Sequence, residues 1–169
     1  MNRPTDYPLV NPQALVRIYG FLPPLETFRP RSINMDWRGP TVTLRVDLSR
    51  FPAVTPQEWE GSEVDTVQCH LQFLAVEALS LAEWEPPIAS ASFRVQLLER
   101  DRRIRVRVTG VGVALDFTSS ETVLVGHVSA FKISADGTDG NRHFFMGKLD
   151  SVHHEAVPGT EEKTFHGRL

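Results

Sequence analysis

Apolar and polar residues alternate along most of the chain between Val42 and Ile133, and turn residues interrupt the alternation at short intervals. A period of two residues is typical of β-strands that have one face in a core. The alternating segments lie at residues 33–37, 42–48, 67–73, 76–81, 93–97, 104–108, 111–117 and 122–133. Because neighbouring strands joined by short turns usually pair, the pattern predicts a mainly β (α+β) fold, with an antiparallel meander-like sheet of about six to eight strands.

A short helix is expected before the strands. Residues 11–20, NPQALVRIYG, place Asn11 as the predicted N-cap, Pro12 at the first helical position and Gly20 at the C-terminal stop. Prolines between residues 23 and 30 then exclude further helix, so the chain is expected to reach the sheet as an extended connector.

Two irregular segments interrupt the middle of the chain. Residues 51–65 contain two prolines and a glycine, which exclude a regular strand and leave room for one helical turn near residues 56–60. After residue 73 the apolar positions change from odd to even numbers. This change predicts a bulge, or a break between two strands, near residues 74–77.

The chain has 169 residues, 41% of them apolar and 23% charged, with a formal net charge of −3. This size and composition predict a single folded domain, residues 1–169. The net charge supplies no broad basic field, so nucleic acid and an anionic membrane are not expected partners. The arginines at residues 100–107 are expected to form a solvated strand face.

Two features bear on the compartment in which the protein works. The single cysteine, Cys69, falls in an alternating apolar segment and is expected to be a core residue, which fits a reducing compartment. The N-terminus lacks the long apolar stretch of a secretion signal, and no window approaches the length of a membrane span. We therefore expect a cytoplasmic protein.

The alternation weakens from Ser134 onward, so residues 134–169 are interpreted as a variable C-terminal extension. Residues 135–141 are expected to form a polar loop, and residues 144–152 an edge strand or an interface segment. The tail beyond Pro158 is expected to be partly flexible.

No residues combine a nucleophile with a base, a carboxylate pair or a metal site in a convincing pattern. His143, His153, His154 and Glu155 come nearest to a metal site, but adjacent histidines on an extended segment point to opposite faces. His70 is out of phase with the core positions and is expected on a polar strand face. The sequence therefore predicts no catalytic residue, no metal site and no cofactor.

The loop before residue 66 is the strongest binding candidate. It places one large aromatic residue among four carboxylates: Glu58, Trp59, Glu60, Glu63 and Asp65. This combination suits a protein partner that carries a basic active site. The alternative is that Trp59 folds back over the core and the carboxylates are merely solvated.

The ordered series of motifs resembles the immunity protein 50 family of bacterial polymorphic-toxin systems. The resemblance spans residues 11–133 and rests on NPQALVRIYG, GPTVTLRVDLSRFP, the loop with Trp59, DTVQCHLQFLAVEALSLAEW, RRIRVRVTGVGVALDF and VSAFKI. It implies a small cytoplasmic protein that binds and neutralises a cognate toxin domain without catalysis. It supplies no interface residues, so the acidic loop remains a separate hypothesis.

Two other functions stay open. A small-ligand-binding β-domain would need a cavity within a curved sheet, which Trp37, Trp59 and Trp84 could line. An adaptor subunit would instead expose an apolar patch, around residues 144–146, that forms a homodimer.

Overall fold

The computed structural model describes residues 9–146, and in this range ten strands form one sheet beside a single α-helix. The elements in chain order are β1 (Leu9–Val10), α1 (Gln13–Tyr19), β2 (Thr27–Asp36), β3 (Thr41–Leu48), a 3-10 turn (Gln57–Trp59), β4 (Thr66–Phe73), β5 (Glu77–Trp84), β6 (Ala91–Leu98), β7 (Arg103–Gly110), β8 (Val113–Ser120), β9 (Val123–Phe131) and β10 (Phe144–Phe145). The predicted mainly β fold with a short helix is confirmed.

The strands do not all pair in sequence order, which corrects the simple meander. The order across the sheet is β1-β9-β4-β3-β2-β6-β7-β8-β5, and β10 also pairs with β9. Two three-stranded meanders, β2-β3-β4 and β6-β7-β8, are joined by the short β2–β6 pairing. β5 crosses to the far edge beside β8, whereas β9 returns to pair with β4.

The predicted break near residues 74–77 is where the chain leaves the first meander. Ala75 has a positive φ of 50°, and the backbone N–H of Val76 donates to the carbonyl of Pro40 at 2.7 Å. The end of β8 approaches the same place, since Ser120 N donates to the carbonyl of Leu74 at 2.9 Å. The end of β4 is therefore close to the start of β9, which pairs with it.

The sheet folds over on itself around an apolar core. Phenylalanine rings from both meanders meet there: the centroids of Phe28 and Phe93 lie 5.1 Å apart, and so do those of Phe73 and Phe117. All four rings are buried, and each contributes roughly 1.5–3 kcal/mol through burial of its apolar surface. Cys69 is also fully buried, as expected, and this burial raises the pKa of its thiol to about 12.

The opposite face of β3, β4 and β9 is polar and is also buried. Gln68, His70 and Gln72 share this face, as their alternation predicts, but they are covered instead of solvated. Residues 134–146 lie against part of it, through contacts that are described below. We call this surface the covered polar face.

The helix agrees with its prediction except at its first residue. The predicted N-cap, Asn11, has a φ of 61°, and the cap is Pro12, which makes no side-chain capping bond. Gly20 ends the helix in the left-handed conformation, as predicted. Leu15 and Ile18 face the core and fix the helix against it.

The arginine-rich strand β7 has a solvent-facing side, but its cations are paired. Asp116 on β8 contacts Arg105 at 2.9 Å and Arg107 at 3.1 Å, and these bonds hold the pKa of Asp116 below its usual range. Arg103 contacts Glu77 at 3.4 Å. These exposed pairs make the face a mixture of charges without a continuous basic field. Among residues 9–146, no helix has the length and apolar character needed to cross a membrane.

Candidate functional site

The β3–β4 loop, residues 49–65, is built around Trp59. The 3-10 turn directs this ring inward, where it is 1% exposed and its centroid lies 6.3 Å from that of Phe51. Both the backbone N–H and the hydroxyl of Ser62 donate to the carbonyl of Trp59. Trp59 therefore holds the loop against the core, and its ring is not presented to a partner.

The neighbouring residue Glu58 points outward and contacts the helix. Its carboxylate forms an ion pair with Arg17 of α1. An exposed pair of this kind adds little to stability. Tyr19 strengthens the same junction, because its hydroxyl donates to the carbonyl of Arg50 at 2.5 Å. Burial of the Tyr19 ring raises the pKa of that hydroxyl.

The two remaining glutamates form the open part of the loop surface. Glu60 and Glu63 are exposed, and within residues 9–146 neither carboxylate forms an ion pair. Val54, in the same loop, is also largely exposed. The loop thus presents unpaired negative charge and one exposed apolar side chain.

Asp65 closes the loop by joining the start of β4 to the end of β9. Its Oδ1 accepts hydrogen bonds from Ile133 N and Thr66 Oγ1, both at 2.9 Å, and Lys132 Nζ lies 3.2 Å from Oδ2. Burial alone would raise the pKa of Asp65, but the bonds from Ile133, Thr66 and Lys132 outweigh it and lower the pKa. Asp65 is therefore occupied in positioning two strands.

A concave region lies beside the covered polar face. A cleft of about 470 Å³ is bordered by β2, by residues 86–89 and by residues 136–139. The carbonyl of Gly137 accepts hydrogen bonds from Arg29 at 3.1 Å and from Arg31 at 2.7 Å. Arg45 contacts Asp139 at 3.3 Å. These arginines hold residues 136–139 in place, so their charges are already engaged by the protein.

Asp139 and His143 fix the same segment to the sheet. Asp139 accepts a hydrogen bond from Gln68 Nε2 at 2.9 Å. Burial would raise the pKa of Asp139, but this bond and the charges of Arg45 and Arg31 lower it. His143 is stacked on Phe131, with ring centroids 4.5 Å apart.

Ser129 and His143 form a serine–histidine pair, with Ser129 Oγ 2.9 Å from His143 Nδ1. Nε2 of His143 lies 3.0 Å from the carbonyl of Asp139 and donates to it in the neutral ring. Both side chains are buried, so the hydroxyl is shielded from a substrate and the pair holds the chain segment. In the described residues no group of three metal-binding side chains is found, and His153, His154 and Glu155 lie outside them.

The structure does not bring together the tryptophans expected to line a ligand cavity, and it covers much of the apolar patch expected to form a homodimer. Trp37 is 83% exposed at the tip of the β2–β3 hairpin, whereas Trp59 is buried, and the cleft beside β2 has no tryptophan among its lining residues. Phe145 pairs with β9 and is 7% exposed, and Phe144 and Met146 pack partly against the core. The rest of the segment 144–152 lies outside the described residues, as does the tail beyond Pro158.

The sequence pattern does not identify Trp37 as a surface residue, because Trp37 continues the alternation of Ile33 and Met35. The available signal was its position: it directly precedes Arg38-Gly39-Pro40, a turn sequence, and a side chain in a hairpin turn lies beyond the edge of the core. The structure therefore separates two surfaces, the acidic β3–β4 loop and the hairpin tip at the other end of β3.

Comparison with known protein families matches residues 11–131 to immunity protein 50. The matched range begins just before α1 and ends with β9, so it includes the acidic loop and the Trp37 hairpin but not residues 134–146. No curated protein and no solved structure matches the chain. Because the match covers most of the chain and includes all eight long strands, the chain belongs to the immunity protein 50 family.

Proposed function

We propose that this chain is a bacterial cytoplasmic immunity protein that binds a cognate toxin domain of a polymorphic-toxin system and neutralises it by occlusion, without catalysis. The family match over residues 11–131 carries the proposal, since the family name denotes immunity against a toxin. Occlusion needs a stable surface that covers the toxin's active site. A folded-over sheet that holds its loops by core packing and hydrogen bonds suits that task.

In this proposal the β3–β4 loop provides one contact with the toxin. Glu60 and Glu63 offer exposed carboxylates to a basic cleft, and Glu58 adds a third that remains partly exposed beside Arg17. Complementary charge at the rim of an interface speeds association and excludes wrong partners. Trp59 and Asp65 contribute indirectly, because they hold the loop in its conformation.

Co-expression tests the function directly. The chain is expressed in a sensitive host together with the C-terminal toxin domain encoded beside its gene, and the two proteins are purified together. We expect growth to be rescued and a stoichiometric complex to be recovered. Killing of the host in the presence of well-expressed chain, without a complex, would contradict the proposal.

The loop contact is tested with the double variant Glu60→Lys/Glu63→Lys. We expect slower association with the toxin domain and a weaker dependence of its rate on salt, because the variant reverses the charge that steers the encounter. Glu83→Lys is the control, since Glu83 is exposed on the edge strand β5, away from the loop. Equal association rates for the double variant and the control would exclude the loop as a contact.

A further inference from the structure

The tip of the β2–β3 hairpin, residues 35–40, presents an unusual combination of side chains, and we call it the Trp37 tip. Trp37 is 83% exposed, and Met35, two residues earlier on β2, is 47% exposed. The guanidinium of Arg38 lies 5.9 Å from the centroid of the Trp37 ring, in a cation–π contact. Tryptophan and arginine are the residue types most enriched among those that dominate binding energy in protein interfaces.

Hydrogen bonds hold the tip in its conformation. The backbone N–H of Arg38 donates to Oδ1 of Asp36 at 3.0 Å, which fixes the turn. The carbonyl of Pro40 accepts the bond from Val76, and the adjacent carbonyl of Ala75 accepts a bond from Arg103 Nη2 at 2.7 Å. The exposed indole therefore stands on a turn whose backbone is held by hydrogen bonds, and a turn that is already ordered loses less conformational entropy on binding.

Charge at the tip indicates what kind of surface it fits. Within the described residues no carboxylate forms an ion pair with Arg38. A partner that buries the indole must also accept this neighbouring cation, and a carboxylate at the rim of its pocket would do so.

We infer that the Trp37 tip docks into an apolar pocket with a carboxylate at its rim, on the toxin domain that this protein binds. The inference rests on the proposed function and adds a contact that the acidic loop does not supply. The aromatic residue of that loop, Trp59, is buried, so the tip provides the exposed aromatic anchor. The tip and the loop lie at opposite ends of β3, roughly 27 Å apart for eight extended residues, so variants of each test separate contacts.

The Trp37→Ala variant tests the inference. Calorimetry measures its dissociation constant for the toxin domain that is encoded beside the gene of this protein. We expect the dissociation constant to rise roughly 30-fold or more, as for an anchor residue of an interface. Arg38→Glu should weaken binding further than Arg38→Ala, since it places a negative charge beside the carboxylate of the partner. Because these side chains are exposed, the thermal unfolding midpoints of the variants should match that of the wild type.

Phe21→Ala is the matched control, because Phe21 is 60% exposed and lies beyond α1, outside the tip. Unchanged affinity for Trp37→Ala, with tight binding by the wild type, would overturn the inference and leave the proposed function intact. An equal loss of affinity in Phe21→Ala and Trp37→Ala would also overturn the inference, since the effect would not be specific to the tip. A wild-type chain that does not bind the toxin domain would contradict the proposed function and this inference together.

Discussion

Arg31 and Asp47 form an ion pair on the covered polar face, with Nη2 of Arg31 2.6 Å from Oδ2 of Asp47. Both side chains are largely buried, and Nε of Arg31 donates to the same oxygen at 2.8 Å. Gln68 donates to the other carboxylate oxygen at 2.7 Å, and Arg31 also donates to the carbonyl of Gly137. The pair thus connects β2, β3 and β4 with the segment that follows β9.

Removal of one charge of this pair should lower the free energy of unfolding far more than removal of both charges. Asp47→Leu removes the carboxylate that contacts the largely buried Arg31 cation, and we expect it to lower the free energy of unfolding by about 3–5 kcal/mol. The double variant Arg31→Met/Asp47→Leu removes both charges and should recover most of that loss. Urea unfolding of the three proteins provides the comparison. Equal destabilisation by the single and double variants would mean that the buried charge is not the cause.

Trp59 should matter for stability, in contrast to Trp37. Trp59→Ala removes a buried ring and should lower the free energy of unfolding by about 3–5 kcal/mol. Trp37→Ala removes an exposed ring of the same type and should change it by less than about 0.5 kcal/mol. Chemical denaturation measures both values under one set of conditions. Similar losses for the two variants would contradict the different burial of the two rings.

The strands were predictable where one face of the strand meets the core and the other meets polar surroundings. In β7, for example, Ile104, Val106 and Val108 face inward between arginines, and the observed bounds agree with the pattern. The 3-10 turn at residues 57–59 and the break at residues 74–77 were likewise marked by proline, glycine and a phase change.

The remaining features depend on contacts between distant parts of the chain. The position of β5 at the far edge could not be predicted. Most of its side chains are exposed, so its sequence does not indicate which strand it pairs with. The burial of His70 depends on segments that cover its face. The loop tryptophan, Trp59, and the hairpin tryptophan, Trp37, could not be separated by alternation, because local sequence does not show where the core ends.

Gly110, at the end of β7, packs closely against the β5–β6 connection. A Cβ atom at this position would lie 2.6 Å from the carbonyl oxygen of Ser90, so that backbone would have to move. We expect Gly110→Ala to destabilise the fold by roughly 1–3 kcal/mol, the usual cost of overpacking. Gly39→Ala is the control, because a Cβ there would meet nothing within 4 Å. Thermal unfolding of both variants measures the effect, and a Gly110→Ala variant as stable as Gly39→Ala would contradict this close approach.

His143 should make stability depend on pH in the weakly acidic range. Burial lowers the pKa of His143, although the carbonyl and carboxylate of Asp139 oppose this, while Arg45 lowers it and Asp47 raises it. The folded protein therefore binds a proton at His143 less readily than the unfolded chain does. By linkage, the stabilisation is complete above the unfolded histidine pKa, about 6.5, and is lost as the pH falls towards the lower folded value.

Stability falls at low pH because the hydrogen bonds around His143 require the neutral form of its ring. Nδ1 accepts from the Ser129 hydroxyl when Nε2 donates to the carbonyl of Asp139, and a proton on Nδ1 would remove that acceptor. Urea unfolding of the wild type and of His143→Gln, from pH 8 to pH 5, isolates the contribution of His143 from those of the other histidines. We expect the stability advantage of the wild type to shrink below about pH 6.5, because only the wild type must release a proton at this site to fold. A constant difference between the two proteins across this range would show that His143 does not titrate with folding.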